Sequence, residues 1–114
     1  MASIPRRGQV YNTRFGNAIG SEQAGTRPAL VISPRRINRP SPVVIVVPLT
    51  TRMKSQSYAQ DVLVPRGIVG VDPGRILCGQ IRAVSQHRLG QLRGTLPDWL
   101  MLEVDDALRL ALDL

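Results

Sequence analysis

The chain is poor in the side chains on which most catalytic and metal sites depend, since its 114 residues include one cysteine and one histidine. The single cysteine, Cys78, excludes an intramolecular disulfide and a multi-cysteine metal site, and its strand-like surroundings predict a small buried core residue. The single histidine excludes an acid–base pair of two histidines within one chain. We interpret His87 as an exposed turn residue.

Acidic residues are also scarce, because residues 1–97 include only Glu22, Asp61 and Asp72. Three scattered carboxylates do not suggest a two-metal catalytic site. The sequence has no Walker or GxGxxG phosphate-binding motif and no zinc-ligand spacing. We therefore expect neither a metal nor a cofactor.

Long hydrophobic runs are missing as well. No apolar run approaches the roughly 18 residues of a membrane-spanning helix. The basic N-terminus, MASIPRRGQVY, has no apolar signal-peptide core. Together with the single cysteine, these features predict a cytoplasmic protein. The length of 114 residues predicts a single domain, residues 1–114.

Positive charge, in contrast, is abundant and unevenly distributed. Residues 1–97 carry 14 basic and 3 acidic side chains (+11), and residues 98–114 carry 1 basic and 5 acidic ones (−4), for a net charge of +7. Of the 15 basic residues, 14 are arginine, which binds phosphates bidentately and stacks on bases. A GC-rich genome would explain arginine in place of lysine but not the separation of charge. A polyanionic partner is therefore favoured.

Hydrophobic patterning predicts a mainly β protein. Strands are indicated at residues 8–15, 27–33, 43–49, 59–64 and 75–84. Residues 33–42, SPRRINRPSP, are interpreted as a turn, and Pro48 predicts an edge position or a bulge in the third strand. Residues 97–112 have Leu or Val at every fourth position, which predicts an amphipathic helix. Several short strands followed by one helix predict a small, curled antiparallel barrel with a C-terminal α-helix.

Without a metal or a histidine pair, cleavage of a phosphodiester would depend on arginine, Glu22 and hydroxyl groups. That route is open for RNA alone, because its 2′-OH can attack the adjacent phosphorus. The protein would then align the reactants, relieve the 2′-OH of its proton and donate hydrogen bonds to the developing negative charge.

Five segments resemble the MazF/PemK toxins of bacterial toxin–antitoxin systems. In chain order they are RGQVY (7–11), GSEQAGTRPALVIS (20–33), VVPLT (46–50), GQIRAV (79–84) and VDDALRLAL (104–112). The resemblance implies an SH3-like barrel related to the gyrase-poisoning CcdB toxins, usually a homodimer. It also implies metal-independent, sequence-selective cleavage of single-stranded RNA, such as mRNA, to 2′,3′-cyclic phosphate and 5′-hydroxyl ends. A cognate antitoxin with an acidic, apolar tail would occupy the basic groove.

By position, the resemblance assigns catalytic roles to Arg27, Thr50 and Glu22. Arg27 would donate to the scissile phosphate and assist proton transfer, and Thr50 would donate to the pentacovalent transition state. The alternatives are a plain surface arginine and a hydroxyl that only satisfies the backbone. For Glu22, capping of its own turn, pairing with an arginine, and a direct role in binding or proton transfer all stay open.

The resemblance also places four residues in RNA binding. Ser21 and Gln23 are expected to shape the loop and to contact a base or a phosphate. Gln80 and Arg82 alternate with Ile81, which predicts that they share one sheet face. On that face they either line an RNA groove or point to solvent.

The chain departs from the family pattern at Gly79, where an acidic residue is common, and at Ala83 and Ser85, which bears on base selectivity and dimer contacts. Two other function classes stay open. One is a CcdB-like inhibitor that binds gyrase and cleaves nothing, although the tail LRLALDL lacks the tryptophan and glycine of that type. The other is a barrel that binds RNA without catalysis, for which four aromatic residues make a poor stacking platform.

Overall fold

A computed structural model describes residues 3–17, 19–20, 22–52 and 57–114. The elements in these ranges, in chain order, are β1 (Gln9–Arg14), β2 (Thr26–Val31), α1 (Arg35–Asn38), β3 (Val43–Thr50), β4 (Asp61–Val64), β5 (Gly74–Leu77), β6 (Arg82–Ser85), a short 3-10 helix (Gln86–Arg88), β7 (Leu89–Thr95) and α2 (Asp98–Leu112). The predicted mainly β fold with a C-terminal helix is confirmed. Neither α-helix in the described ranges is long and apolar enough to cross a membrane.

The strands pair antiparallel in the order β4-β5-β3-β2-β1-β7, and β6 pairs with the first half of β3. Val10 of β1 and Val62 of β4 belong to the same buried cluster, so the sheet curls around this main core. No ladder between described residues joins β4 to β7. The fold is therefore a barrel-like sheet that stays open along one seam.

Pro48 lies in the centre of the sheet, and the prediction of an edge position is wrong. Along one side, β3 pairs with β6 through residues 43–46 and with β5 through residues 49–50. Pro48 lies between these two ladders, at the point where β3 changes partner. Neither β5 nor β6 pairs with this position, so the N–H that proline lacks is not needed there. A fully buried proline is tolerated there for this reason.

The predicted strand 75–84 is in fact two strands, because the chain turns between them. β5 ends at Leu77, the backbone N–H of Gln80 donates to the Leu77 carbonyl at 3.0 Å, and β6 starts at Arg82. The expectation that Gln80 and Arg82 share one sheet face is consequently wrong. Gln80 belongs to the turn and only Arg82 to a strand.

Besides the short 3-10 helix, two further elements have no counterpart in the prediction. The four-residue helix α1 begins directly after Pro34, within the segment interpreted as a turn. β7 is exposed along most of its length and lacks the apolar alternation from which a strand is predicted. It is held to β1 by a ladder with irregular register.

α2 covers the main core from one side. Leu100, Met101, Val104 and Ala107 are its buried residues, whereas Leu112, on the predicted apolar stripe, is 54% exposed. The helix is tied to the chain before β1 by the ion pair between Arg7 and Asp105. A second, smaller core lies around Phe15, Val31 and Val46.

Candidate functional site

Thr50 is the last residue of β3 and borders a cavity at the end of the sheet. It is 5% exposed, and its Oγ1 accepts a hydrogen bond from the Arg52 backbone N–H at 3.1 Å. The hydroxyl therefore satisfies a backbone group, as one of the two interpretations expected. Because it only accepts in that bond, its O–H is left as a donor toward a ligand.

Arg27 lies near the start of β2, which runs antiparallel to β3. The ladder between β2 and β3 ends at the pair of Ala29 and Pro48. Arg27 and Thr50 each lie two residues beyond that pair, so both are at the same end of the strand pair. The Arg27 Nε donates to the Ala24 carbonyl at 3.0 Å. Among the described residues, nothing bonds its two terminal amino groups. One edge of the guanidinium is thus fixed by the loop while the other can bind a phosphate.

The cavity beside Thr50 has a volume of about 380 Å³, at the lower end of the range of ligand pockets. It brings together three of the predicted residues, namely Gln23, Thr50 and Gln80. The backbone N–H of Gln23 donates to Oε1 of Gln80 at 3.2 Å, which joins the β1–β2 loop to the turn after β5. The rest of the described wall consists of Arg52, Tyr58, Gln60, Asp61, Arg75, Leu77 and Gly79.

Glu22, Arg27 and Arg82 are not among the residues of this wall. The Glu22 carboxylate accepts a hydrogen bond from the Ile19 N–H at 3.2 Å, and the Glu22 N–H donates to the Ile19 carbonyl, also at 3.2 Å. Glu22 thus caps its own turn. The guanidinium of Arg82 lies over the Phe15 ring, 4.9 Å from its centroid. Ser21 lies outside the described residues.

A buried ion pair forms the floor of the cavity. Arg75 Nη1 contacts Asp61 Oδ2 at 2.9 Å, and the side chains are 9% and 6% exposed. Nη2 of Arg75 donates to the Arg52 carbonyl at 3.2 Å. Through Arg52, whose N–H donates to Thr50, these bonds connect the Thr50 hydroxyl to the start of β4.

Sequence reasoning missed this floor, because Asp61 and Arg75 belong to no motif. The one available signal was the scarcity of acids: Asp61 is among three carboxylates in residues 1–97. Tyr58, 57% exposed at the cavity wall, was likewise not singled out. In the described part of the chain, no three His, Cys, Asp or Glu residues are grouped to hold a metal ion.

Cys78 and His87 occupy the positions predicted for them. Cys78 is fully buried, and burial, with the nearby charge of Asp61, raises the pKa of its thiol to about 12. The thiol is therefore not a nucleophile at neutral pH. His87 lies exposed in the short 3-10 helix.

Comparison with known proteins places this site in a defined context. Residues 6–112 match the family described as PemK-like, MazF-like toxin of type II toxin–antitoxin system. The chain is 36% identical to the endoribonuclease EndoA of Bacillus subtilis over 112 residues, which cover 97% of each chain. Among solved structures, MazF of Deinococcus radiodurans aligns with a TM-score of 0.85 at 28% identity, over 99% of this chain and 100% of that one.

A second solved structure includes a partner protein. It is an endoribonuclease from a mycobacterial species in complex with its cognate antitoxin, similar with a TM-score of 0.81 at 27% identity over 96% of both chains. The similarity in both sequence and structure extends over nearly the whole chain.

Proposed function

Because the chain belongs to the PemK-like, MazF-like toxins of type II toxin–antitoxin systems, we propose that it is an endoribonuclease toxin that cleaves single-stranded RNA without a metal. In the reaction, the 2′-oxygen forms a bond to the adjacent phosphorus and the bond from phosphorus to the 5′-oxygen breaks. The 2′-OH loses its proton and the leaving 5′-oxygen gains one. The products are a 2′,3′-cyclic phosphate and a 5′-hydroxyl.

The position of Arg27 and Thr50 at the same end of the β2–β3 strand pair is the observation that carries this proposal. A guanidinium fixed at Nε and open at both terminal amino groups can hold the two non-bridging phosphate oxygens. To the Thr50 O–H, whose oxygen accepts from the Arg52 N–H, we assign a hydrogen bond to the same phosphate as its charge increases. Both groups stand on strands, which supports the rigid positioning that such stabilisation requires.

Glu22 stays a prediction as the group that takes the 2′-OH proton or binds RNA. Its position in the β1–β2 loop, where it caps a turn through the Ile19 N–H, also suits a purely structural role. A pH–rate profile separates the two: Glu22→Gln removes the acid limb if the carboxylate is the base, and lowers the rate evenly with pH if it only shapes the loop.

The partners follow from the family and the charge. We propose a cytoplasmic homodimer that is inhibited by a cognate antitoxin, and the charge of +11 on residues 1–97 supports both the RNA substrate and an acidic inhibitor. Light scattering of the purified chain tests the dimer through its molar mass, which is twice 12.5 kDa if the proposal holds.

The decisive test is single-turnover cleavage of a long RNA in excess EDTA. We expect Arg27→Ala and Thr50→Val each to slow cleavage on the order of 10²- to 10³-fold, by analogy with the removal of one oxyanion-hole donor. Exposed residues of the same type, in Arg36→Ala and Thr95→Val, serve as controls and should cleave at the parent rate. Undiminished cleavage by Arg27→Ala would overturn its assignment. No cleavage by the parent, with gyrase inhibited instead, would favour the CcdB-like alternative.

A further inference from the structure

We infer that Gln60, packed against Gly79, is a specificity-determining residue that recognises the edge of a nucleobase in the cavity beside Thr50. The inference deepens the proposed function and rests on it. It assigns a selective contact in this site to a residue that the sequence did not single out.

The Gln60 side chain packs against the open face of Gly79. A Cβ atom built on Gly79 would lie 2.9 Å from Nε2 and 3.2 Å from Cγ of Gln60. The Gln60 side chain therefore occupies the space that any side chain at position 79 would need. Glycine at this position is what lets the carboxamide lie along the cavity wall, of which both residues form part.

The turn that carries Gln60 is held on both sides. The Asp61 N–H donates to the Tyr58 carbonyl at 2.9 Å, and the Tyr58 N–H donates to Asp61 Oδ2, also at 2.9 Å. The same carboxylate is paired with buried Arg75, which is bonded in turn to the Arg52 carbonyl. These bonds hold the backbone that carries Gln60 in place at the same cavity as Thr50, which supports selective recognition.

The chemistry of the carboxamide suits a base edge. Gln60 is half-buried, and within the described ranges no group forms a hydrogen bond with its side chain. It offers two N–H donors and one carbonyl acceptor, the combination with which glutamine binds an adjacent donor and acceptor on a base. Single-stranded RNA presents such edges because its bases are unstacked. A neutral base is the ligand class, and the phosphate is left to Arg27.

The test measures binding without cleavage, so that it does not depend on turnover. The probes are fluorescent RNA heptamers that are 2′-O-methylated throughout, which removes the nucleophile. The heptamers are centred on a mapped cut site or, if the parent does not cut, on the tightest binder of a random pool. Each position is varied over the four bases. Dissociation constants are compared for the parent, Gln60→Leu, Gly79→Ala and, as a matched glutamine control, Gln91→Leu, exposed on β7.

We expect the parent to prefer one base at one heptamer position roughly tenfold, and Gln60→Leu to lose that preference while preferences elsewhere persist. Gly79→Ala should weaken the same preference because the new methyl displaces the carboxamide. A double variant that combines Gln60→Leu with Gly79→Ala should show the same base preferences as Gln60→Leu alone, because both changes act through the Gln60 carboxamide. Gln91→Leu should match the parent.

Two outcomes would overturn the inference. One is a Gln60→Leu profile equal to that of the parent at every position. The other is a parent that binds the heptamers without base preference, or not at all. Selective binding by a parent that cuts no unmodified RNA would refute the proposed nuclease activity and leave the role of Gln60 standing.

Discussion

The buried pair of Arg75 and Asp61 offers the sharpest test of how the site is held in place. The side chains are 9% and 6% exposed and 2.9 Å apart, and Asp61 also accepts a bond from the Tyr58 N–H. Asp61→Asn keeps the shape but removes the negative charge that faces the buried Arg75 guanidinium. Loss of one partner from a buried pair costs about 3–5 kcal/mol. We expect a decrease of about 3 kcal/mol in the free energy of unfolding, since the amide oxygen still accepts a hydrogen bond.

The control is the pair of Arg109 and Asp106 on the surface of α2, whose side chains are 61% and 82% exposed at a separation of 3.1 Å. Asp106→Asn should change stability by less than about 0.5 kcal/mol. Urea unfolding monitored by circular dichroism compares the two, and the buried variant should shift the midpoint by roughly 1–3 M. Equal effects of Asp61→Asn and Asp106→Asn would refute the reasoning.

Three further predictions concern the scaffold. Asn38→Ala should lower the free energy of unfolding, measured with urea, by about 3 kcal/mol. Buried Asn38 donates to the Pro5 carbonyl at 3.0 Å and to the Ser33 carbonyl at 2.9 Å, and alanine leaves both carbonyls without these bonds. A decrease below about 1 kcal/mol would contradict this prediction. Gly70→Ala should lower the melting temperature more than Gly67→Ala. Both glycines have a positive φ, but only at Gly70 would the added Cβ meet the backbone, 1.8 Å from the Arg93 carbonyl oxygen. Equal decreases in melting temperature would contradict this prediction. Because the pKa of Cys78 rises from 9.0 to about 12 on folding, the unfolded chain loses the proton first and stability should fall as the pH rises from about 9 to 12. In Cys78→Ala, the free energy of unfolding, measured with urea at several pH values, should depend less on pH in this range. The same pH dependence in the variant and the parent would contradict this prediction.

The extent to which the sequence predicts this fold depends on how local the signals are. β3 and α2 have strong hydrophobic patterns, so the prediction of both elements is confirmed. β7 has no such pattern because its faces are mostly exposed, and its position follows from pairing with β1, which is a long-range event. The break between β5 and β6 was missed because residues 75–84 look like a continuous strand, whereas the chain turns between Leu77 and Gln80 and the Gln80 side chain bonds the β1–β2 loop.

The residues of the candidate site also differ in whether the sequence could predict them. Arg27 and Thr50 are identified through the resemblance, and their strand positions follow from the apolar runs beside them. The relation of Gln60 to Gly79, and of Asp61 to Arg75, arises only when β4 and β5 pair. A local pattern in the sequence carries no information about which side chains such a pairing brings together.

The most direct test of the central claim uses one RNA with a single 2′-deoxy nucleotide at a mapped cut site, in excess EDTA. We predict that the unmodified RNA is cut there, leaving a 2′,3′-cyclic phosphate that mass spectrometry identifies, and that the 2′-deoxy RNA is not cut at that position. Cleavage of the 2′-deoxy RNA at the same bond, or a requirement for a metal ion, would contradict an attack by the 2′-OH on a phosphate held by Arg27 and Thr50.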